Sequence, residues 1–174
     1  MRILLAVTNS ACSLAAARAI AERPWRSGSE VRILSVVETP FIAPVSAVTG
    51  FPELPPTELV EKVESVLTGN ALVAVRDAVQ ELMANGPSEF KISADVVNGD
   101  PATLILEQAE QWRADLIVLG SCGPVVWRKL FRRSPAIAVV KHARCSVEVV
   151  RAEPLEDHLT KVDKEVRNGI AYAC

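Results

Sequence analysis

The sequence predicts an α/β domain built on five parallel strands with helices on both faces of the sheet. Three observations carry that prediction. Short, almost continuous apolar runs recur ("RILLAV", "VRILSVVE", "DLIVLG"), the pattern of strands covered on both faces. Between them lie segments with helical caps and helical apolar spacing. The two kinds alternate along the chain, and parallel strands joined through helices take right-handed crossovers, which restricts the topology.

Taken in order, Arg2 to Val7 reads as a buried strand ended by the turn residues Thr8, Asn9 and Ser10. Asn9 or Ser10 caps an alanine-rich helix from Ser10 to Glu22, which Pro24 stops. Val31 to Glu38 is the second strand. A long helix runs from Thr57 to about Asn85: Leu59, Val63, Val66, Ala71, Val75, Val79 and Leu82 form its apolar stripe, and Gly69-Asn70 offers a place to kink. Asn85-Gly86-Pro87 ends it. Phe90 to Val97 is the third strand, after which Asp100 caps a helix with Pro101 at its first position, running to about Arg113. Asp115 to Gly120 is the fourth strand. Ser134 and Pro135 open a last helix, Lys141 and His142 suit its final turn, and Ser146 to Arg151 supplies the fifth strand.

Two stretches stand outside this alternation. Residues 39–56, "TPFIAPVSAVTGFPELPP", hold five prolines and exceed an ordinary connection. They read as a lid, a partner contact or a variable surface loop. Residues 152–174 form a tail in which Leu155, Leu159, Val162 and Val166 trace a narrow apolar seam on an amphipathic helix, suited to docking on this domain or to pairing with another subunit.

At 174 residues the chain suits one domain, spanning 1–151, with a core that needs no disulfide or metal staples. A charged fraction of 23% and a net charge of -2 argue against a general nucleic-acid binder. The charge is uneven: no acid lies between Asp115 and Glu148, whereas Arg128, Lys129, Arg132, Arg133, Lys141 and Arg144 do. "WRKLFRR" (Trp127 to Arg133) mixes cations with aromatics, and its simplest reading is a solvated basic face with the apolar side chains turned inward. Cys12, Cys122, Cys145 and Cys174 are widely spaced with no CxxC pair, so reduced thiols and a cytoplasmic location are expected. The apolar run at the start stops too soon for a secretory signal, and no stretch approaches the roughly 18 apolar residues of a membrane span.

In open parallel sheets, ligands collect where successive connections leave the carboxyl ends of strands toward opposite faces. That rule brings "TNS" (Thr8 to Ser10) and "GSCG" (Gly120 to Gly123) to one crevice, with the helix start at Ser134 aiming a positive dipole end at it. The two glycines would let backbone N–H groups approach an anion. Cys122 lies in that glycine turn as a candidate reactive thiol with no base assigned to it. His142 and Cys145 lack further metal ligands.

Three blocks, "RILLAVTNSACS", "VVNGDPATLILEQAEQWRADLIVLGSCG" and "SPAIAVVKHARCSVEVVR", in that order and with wording such as "ADLIVLG" and "HARCSVEVV", resemble the universal stress protein family over about residues 1–151. The resemblance implies a Rossmann-like sheet of order 3-2-1-4-5, of the adenine nucleotide alpha hydrolase-like type, and a cytoplasmic homodimer paired through Ser146 to Arg151. It implies an adenine nucleotide as ligand: the backbone of Val36 beside the adenine, Val97 near the wall, an Asp beside the ribose, and a phosphate motif G-x-x-G-x9-G-[S/T]. Gly120, Gly123 and Ser134 match that motif. Thr8 replaces the Asp and Arg133 replaces the third glycine. A threonine hydroxyl gives only a neutral contact where a carboxylate would grip two ribose hydroxyls. Arg133 either obstructs the phosphate or, swung inward, binds it bidentately.

The H-x-G-H element of nucleotidylyl transferases and the S-G-G-x-D-S loop of ATP pyrophosphatases do not occur, and no nucleophile with its base or acid–base pair can be assembled in the crevice. The reading is therefore a stress-response regulatory or binding module with a degraded nucleotide site. The alternative is an ATP-binding switch that uses Arg133, with slow hydrolysis, and with Mg2+ only if ATP binds.

Overall fold

The computed structural model describes residues 1–38, 57–122 and 134–152, with residues 57–59 and 122 described by their backbone alone. The proline-rich excursion at 39–56, the "WRKLFRR" segment with Gly123 and Arg133, and the tail beyond Ala152 lie outside the described residues. Strand and helix alternate as predicted: β1 (Arg2–Val7), α1 (Ala11–Ala21), β2 (Glu30–Val37), α2 (Thr57–Asn85), β3 (Lys91–Asn98), α3 (Pro101–Trp112), β4 (Leu116–Cys122), α4 (Pro135–His142) and β5 (Ser146–Ala152). All strand pairs are parallel, and the order across the sheet is β3-β2-β1-β4-β5.

The helices cover the two faces with separate apolar clusters. On one side α1 and α2 bury Leu5, Val7, Ile33 and Val118 of the sheet against Ala16, Ala17, Ile20, Ala74, Ala78 and Leu82. On the other, α3 and α4 bury Leu4, Leu34, Ile117 and Leu119 against Ile105, Ala109 and Val139. Adjacent residues of β1 thus serve opposite layers, as the two-residue period of a strand requires. The central strands β1, β2 and β4 are the buried ones. β3, at one edge, exposes Lys91, Ser93, Ala94, Asp95 and Asn98 and keeps Ile92, Val96 and Val97 partly buried.

The α2 stripe differs from the prediction. Ala71 and Leu82 of the predicted stripe are buried and Val75 and Val79 pack against the core, but Val66 is exposed, and Ala74 and Ala78, outside the predicted stripe, are buried. Spacings of 3, 4 and 4 still describe one helical face, but that face is chosen by size: alanines on α2 meet the alanines of α1 and let the two helices approach. The helix is continuous through Gly69-Asn70. Elsewhere the caps follow the expected chemistry. The Asp100 carboxylate accepts from the Thr103 N–H at 2.8 Å and from its hydroxyl at 2.7 Å, and Arg113, in the left-handed region at φ 54°, closes α3.

At the other edge, β5 is tied to the helical layer by an ion pair. The two terminal guanidinium nitrogens of Arg23, just beyond α1, donate to the two oxygens of Glu148 at 2.5 Å. The Glu148 carboxylate of this edge strand is thus engaged within the domain.

Candidate functional site

The β1–α1 turn is a knot of hydroxyls. Ser10 is the N-cap of α1, with extended backbone angles, and its Oγ accepts from the Ser13 N–H at 3.3 Å. The Ser13 Oγ in turn accepts from the Thr8 N–H at 2.8 Å, which satisfies the first donor after β1. The three hydroxyl oxygens lie 3.1 to 3.2 Å apart: Thr8 with Ser10, Thr8 with Ser13, and Ser10 with Ser13. Asn9 donates across to Asn70 of α2 at 3.3 Å, fixing the turn to the long helix. Ser13 and Asn70 are residues that sequence reasoning missed. The repeat of serine three residues after a capping serine was the available signal for the first; nothing local marks the second.

Gly120 has a different role from the one predicted. The strand β4 continues through it to Cys122, so Gly120 is a strand residue paired with Val150, and no turn begins there. A Cβ at this position would fall 2.2 Å from the carbonyl oxygen of Cys12 and 2.8 Å from the Ser13 nitrogen. The glycine is required because the end of β4 lies directly on the backbone of the first turn of α1.

Ser134 caps α4 with its backbone: the Ile137 and Ala138 N–H groups donate to its carbonyl at 3.1 and 3.3 Å, while its hydroxyl makes no capping bond. Val36, on β2, pairs in register with Val97. Thr8, Val36, Gly120 and Ser134 all line one cavity of about 450 Å³ at the carboxyl ends of the central strands. Asn70 and Leu67 of α2 and Pro101 and Ile105 of α3 complete its sides. Val97 packs with the α3 and α4 cluster beside Val36 and is not among the lining residues. The other two predicted members, Gly123 and Arg133, lie outside the described residues.

The cysteines divide. Cys12, in the first turn of α1 and buried, is disulfide-bonded, which corrects the expectation that the thiols are all reduced. Widely spaced cysteines give no sequence signal for pairing, because proximity is a property of the fold. Cys145 keeps its thiol. Burial first, and then the nearby Asp115 carboxylate, push that thiol above its ordinary range, so it is a poor nucleophile. With His142 it lines a second cavity of about 210 Å³ at the opposite, amino ends of the strands. Among the described residues no group of three metal-ligating side chains forms there or elsewhere, and no helix is long and apolar enough to cross a membrane.

Known proteins share this arrangement. Over 150 residues the chain is 30% identical to universal stress protein MJ0531 of Methanocaldococcus jannaschii, covering 86% of this chain and 81% of that one. The solved UspA of Lactobacillus plantarum superposes with a TM-score of 0.60 at 26% identity, over 87% of this chain and 97% of that one. A universal stress protein family protein of Arabidopsis thaliana, solved with AMP bound, superposes with a TM-score of 0.58 at 19% identity, over 88% of this chain and 93% of that one. Residues 1–151 match the universal stress protein family as a whole, so the sheet order, the crevice and the sequence agree that this chain is one of its members.

Proposed function

We propose that this chain is a regulatory module of the stress response whose crevice takes adenine nucleotides weakly and serves binding, with no reaction. The observation that carries the reading is the shared cavity. Thr8, Val36, Gly120 and Ser134, distant in sequence, border a single space of about 450 Å³, within the usual range for small-molecule sites. The bound AMP of the Arabidopsis relative supports the ligand class.

The weakness follows from the hydroxyl knot. Thr8 already shares its oxygen with Ser10 and Ser13, so it offers a ribose one neutral and contested hydrogen bond. A carboxylate in that place would add a charged bond, a difference of about 1.5 to 3 kcal/mol, or roughly ten- to a hundredfold in affinity. Calorimetric titration of AMP and ATP tests this directly. The Thr8→Asp variant is expected to bind ten- to a hundredfold more tightly than the natural chain. Micromolar ATP binding by the natural chain, lost in Arg133→Ala, would replace this reading with the Arg133-dependent switch, and Mg2+ would then be sought with the phosphates. Absence of heat even with Thr8→Asp would remove nucleotides from the account.

We also propose that the outer edge of β5 pairs with that of a second copy. Its strand lies at the end of the sheet order, and its valines are only half-buried. A Val149→Pro variant with unchanged circular dichroism is expected to sediment as a monomer; a persisting dimer would place the contact elsewhere.

A further inference from the structure

Among the described residues that line the cavity, Glu38 alone carries a charge. It directly follows β2 and is exposed, and no hydrogen bond or ion pair with another described residue engages its carboxylate. An ionised carboxylate only accepts hydrogen bonds, so this part of the wall asks for a donor on the ligand. It also repels an anion.

The wall beyond β1 has the opposite character. In the sheet, β2 and β4 flank β1 on either side. Ser134, whose hydroxyl makes no capping bond, opens the eight-residue helix α4, and the positive end of the helix dipole lies at the cavity. A nucleotide therefore settles with its phosphate toward α4 and its base toward β2. Apolar cover for a base stands around β2: Val36 itself, Leu67 and Ala71 of α2, and Ile105 of α3, which packs in one cluster with Val36.

We propose that the Glu38 carboxylate accepts a hydrogen bond from the exocyclic amine of the base, and that this bond makes the crevice select 6-amino purines over 6-oxo purines. The assignment rests on the nucleotide reading above, with Thr8 at the ribose. The register of the strands leaves room for it. Val7 is level with Ser35, so Thr8 stands one residue past that rung and Glu38 three. The difference is about 6.6 Å along the strands, with one strand spacing of about 4.8 Å across. A purine fills such a gap between its sugar and its amine.

Selectivity follows from the direction of the bond. Adenine offers a donor at that edge, whereas a 6-oxo purine offers a carbonyl oxygen, which sets acceptor against acceptor. Bonds to a charged acceptor are among the strong ones, and a site built to receive a donor rejects the analogue that lacks it. Glutamine at position 38 removes the discrimination, because its amide accepts from an amine through its oxygen and donates to a carbonyl through its nitrogen.

Calorimetric titration of AMP and inosine monophosphate onto the Thr8→Asp variant of the full chain tests the assignment. AMP is expected to bind about tenfold or more tightly than its 6-oxo counterpart. With Glu38→Gln added, the two affinities should come within about threefold of each other, mainly through loss of AMP affinity. Because Glu38 is exposed, the added change should leave the melting temperature where it was. Equal affinities with Glu38 in place, or a preference for AMP that survives Glu38→Gln, overturn the assignment while leaving the nucleotide reading intact. Equal weakening of both ligands by Glu38→Gln overturns it as well, since the carboxylate would then hold a part the two share. Binding of neither ligand to the Thr8→Asp variant overturns the assignment together with the nucleotide reading.

Discussion

An alanine at position 120 is expected to lower the melting temperature by about 6 to 12 °C. The added methyl would lie 2.2 Å from the Cys12 carbonyl oxygen and 2.4 Å from its carbon, well inside contact distance, and both are backbone atoms that no rotamer change can move. Relief requires the end of β4 or the first turn of α1 to shift as a unit. Such overpacking costs about 3 kcal/mol, and a chain of this length loses roughly 2 to 4 °C per kcal/mol. Scanning calorimetry checks the value. An unchanged melting temperature would mean that the strand end and the helix do not lie as close as described. Because the same contact sets the distance between two walls of the cavity, the variant should also lose whatever nucleotide affinity the natural chain has.

Leu5→Ala is expected to cost about 4 kcal/mol, or roughly 8 to 16 °C. Leu5 is fully buried on the central strand, level with Ile33 on one side and Val118 on the other, themselves buried. Above that rung lie Ala16 and Ala17 of α1. The two neighbours stand on strands fixed by their own pairing, and the alanines are too short to reach into a vacated space. The cavity therefore collapses little, which places the loss in the upper part of the range for such truncations. Denaturant melts of the variant and the natural chain give the difference; a loss below about 2 kcal/mol would show that α1 settles onto the gap.

The fold was legible because its signals are local and repeated. "RILLAV" and "DLIVLG" announce buried strands whatever surrounds them, and Asp100-Pro101 or Ser134-Pro135 announce helix starts by capping chemistry alone. Errors arose where a choice depended on neighbours in space. Val66 has the right spacing and apolar character to be buried in α2, yet the helix turns its alanines inward because α1 opposite is also lined with alanine. β3 reads like its buried neighbours but stands at an edge, which only the strand order reveals.

The site was legible in part for the same reason. Thr8, Gly120 and Ser134 follow from the rule that ligands gather at strand ends, Val36 follows only from the family resemblance, and one cavity unites the four. The purpose of Gly120 did not follow, since its sequence cannot say that the atoms filling the missing Cβ position belong to Cys12. The hydroxyl knot around Thr8 and the bridge from Asn9 to Asn70 are likewise products of assembly: single polar side chains acquire meaning when the turn folds back on its own helix.

The makeup of the cavity wall has one more consequence. Among the described residues that border it, the exposed Glu38 is the sole ionisable side chain; the others are hydrocarbon, hydroxyl, amide or bare backbone. For the nucleotide proposed above, whose terminal phosphate takes up its proton near pH 6, the described part of the wall supplies no cationic side chain to favour the ionised form.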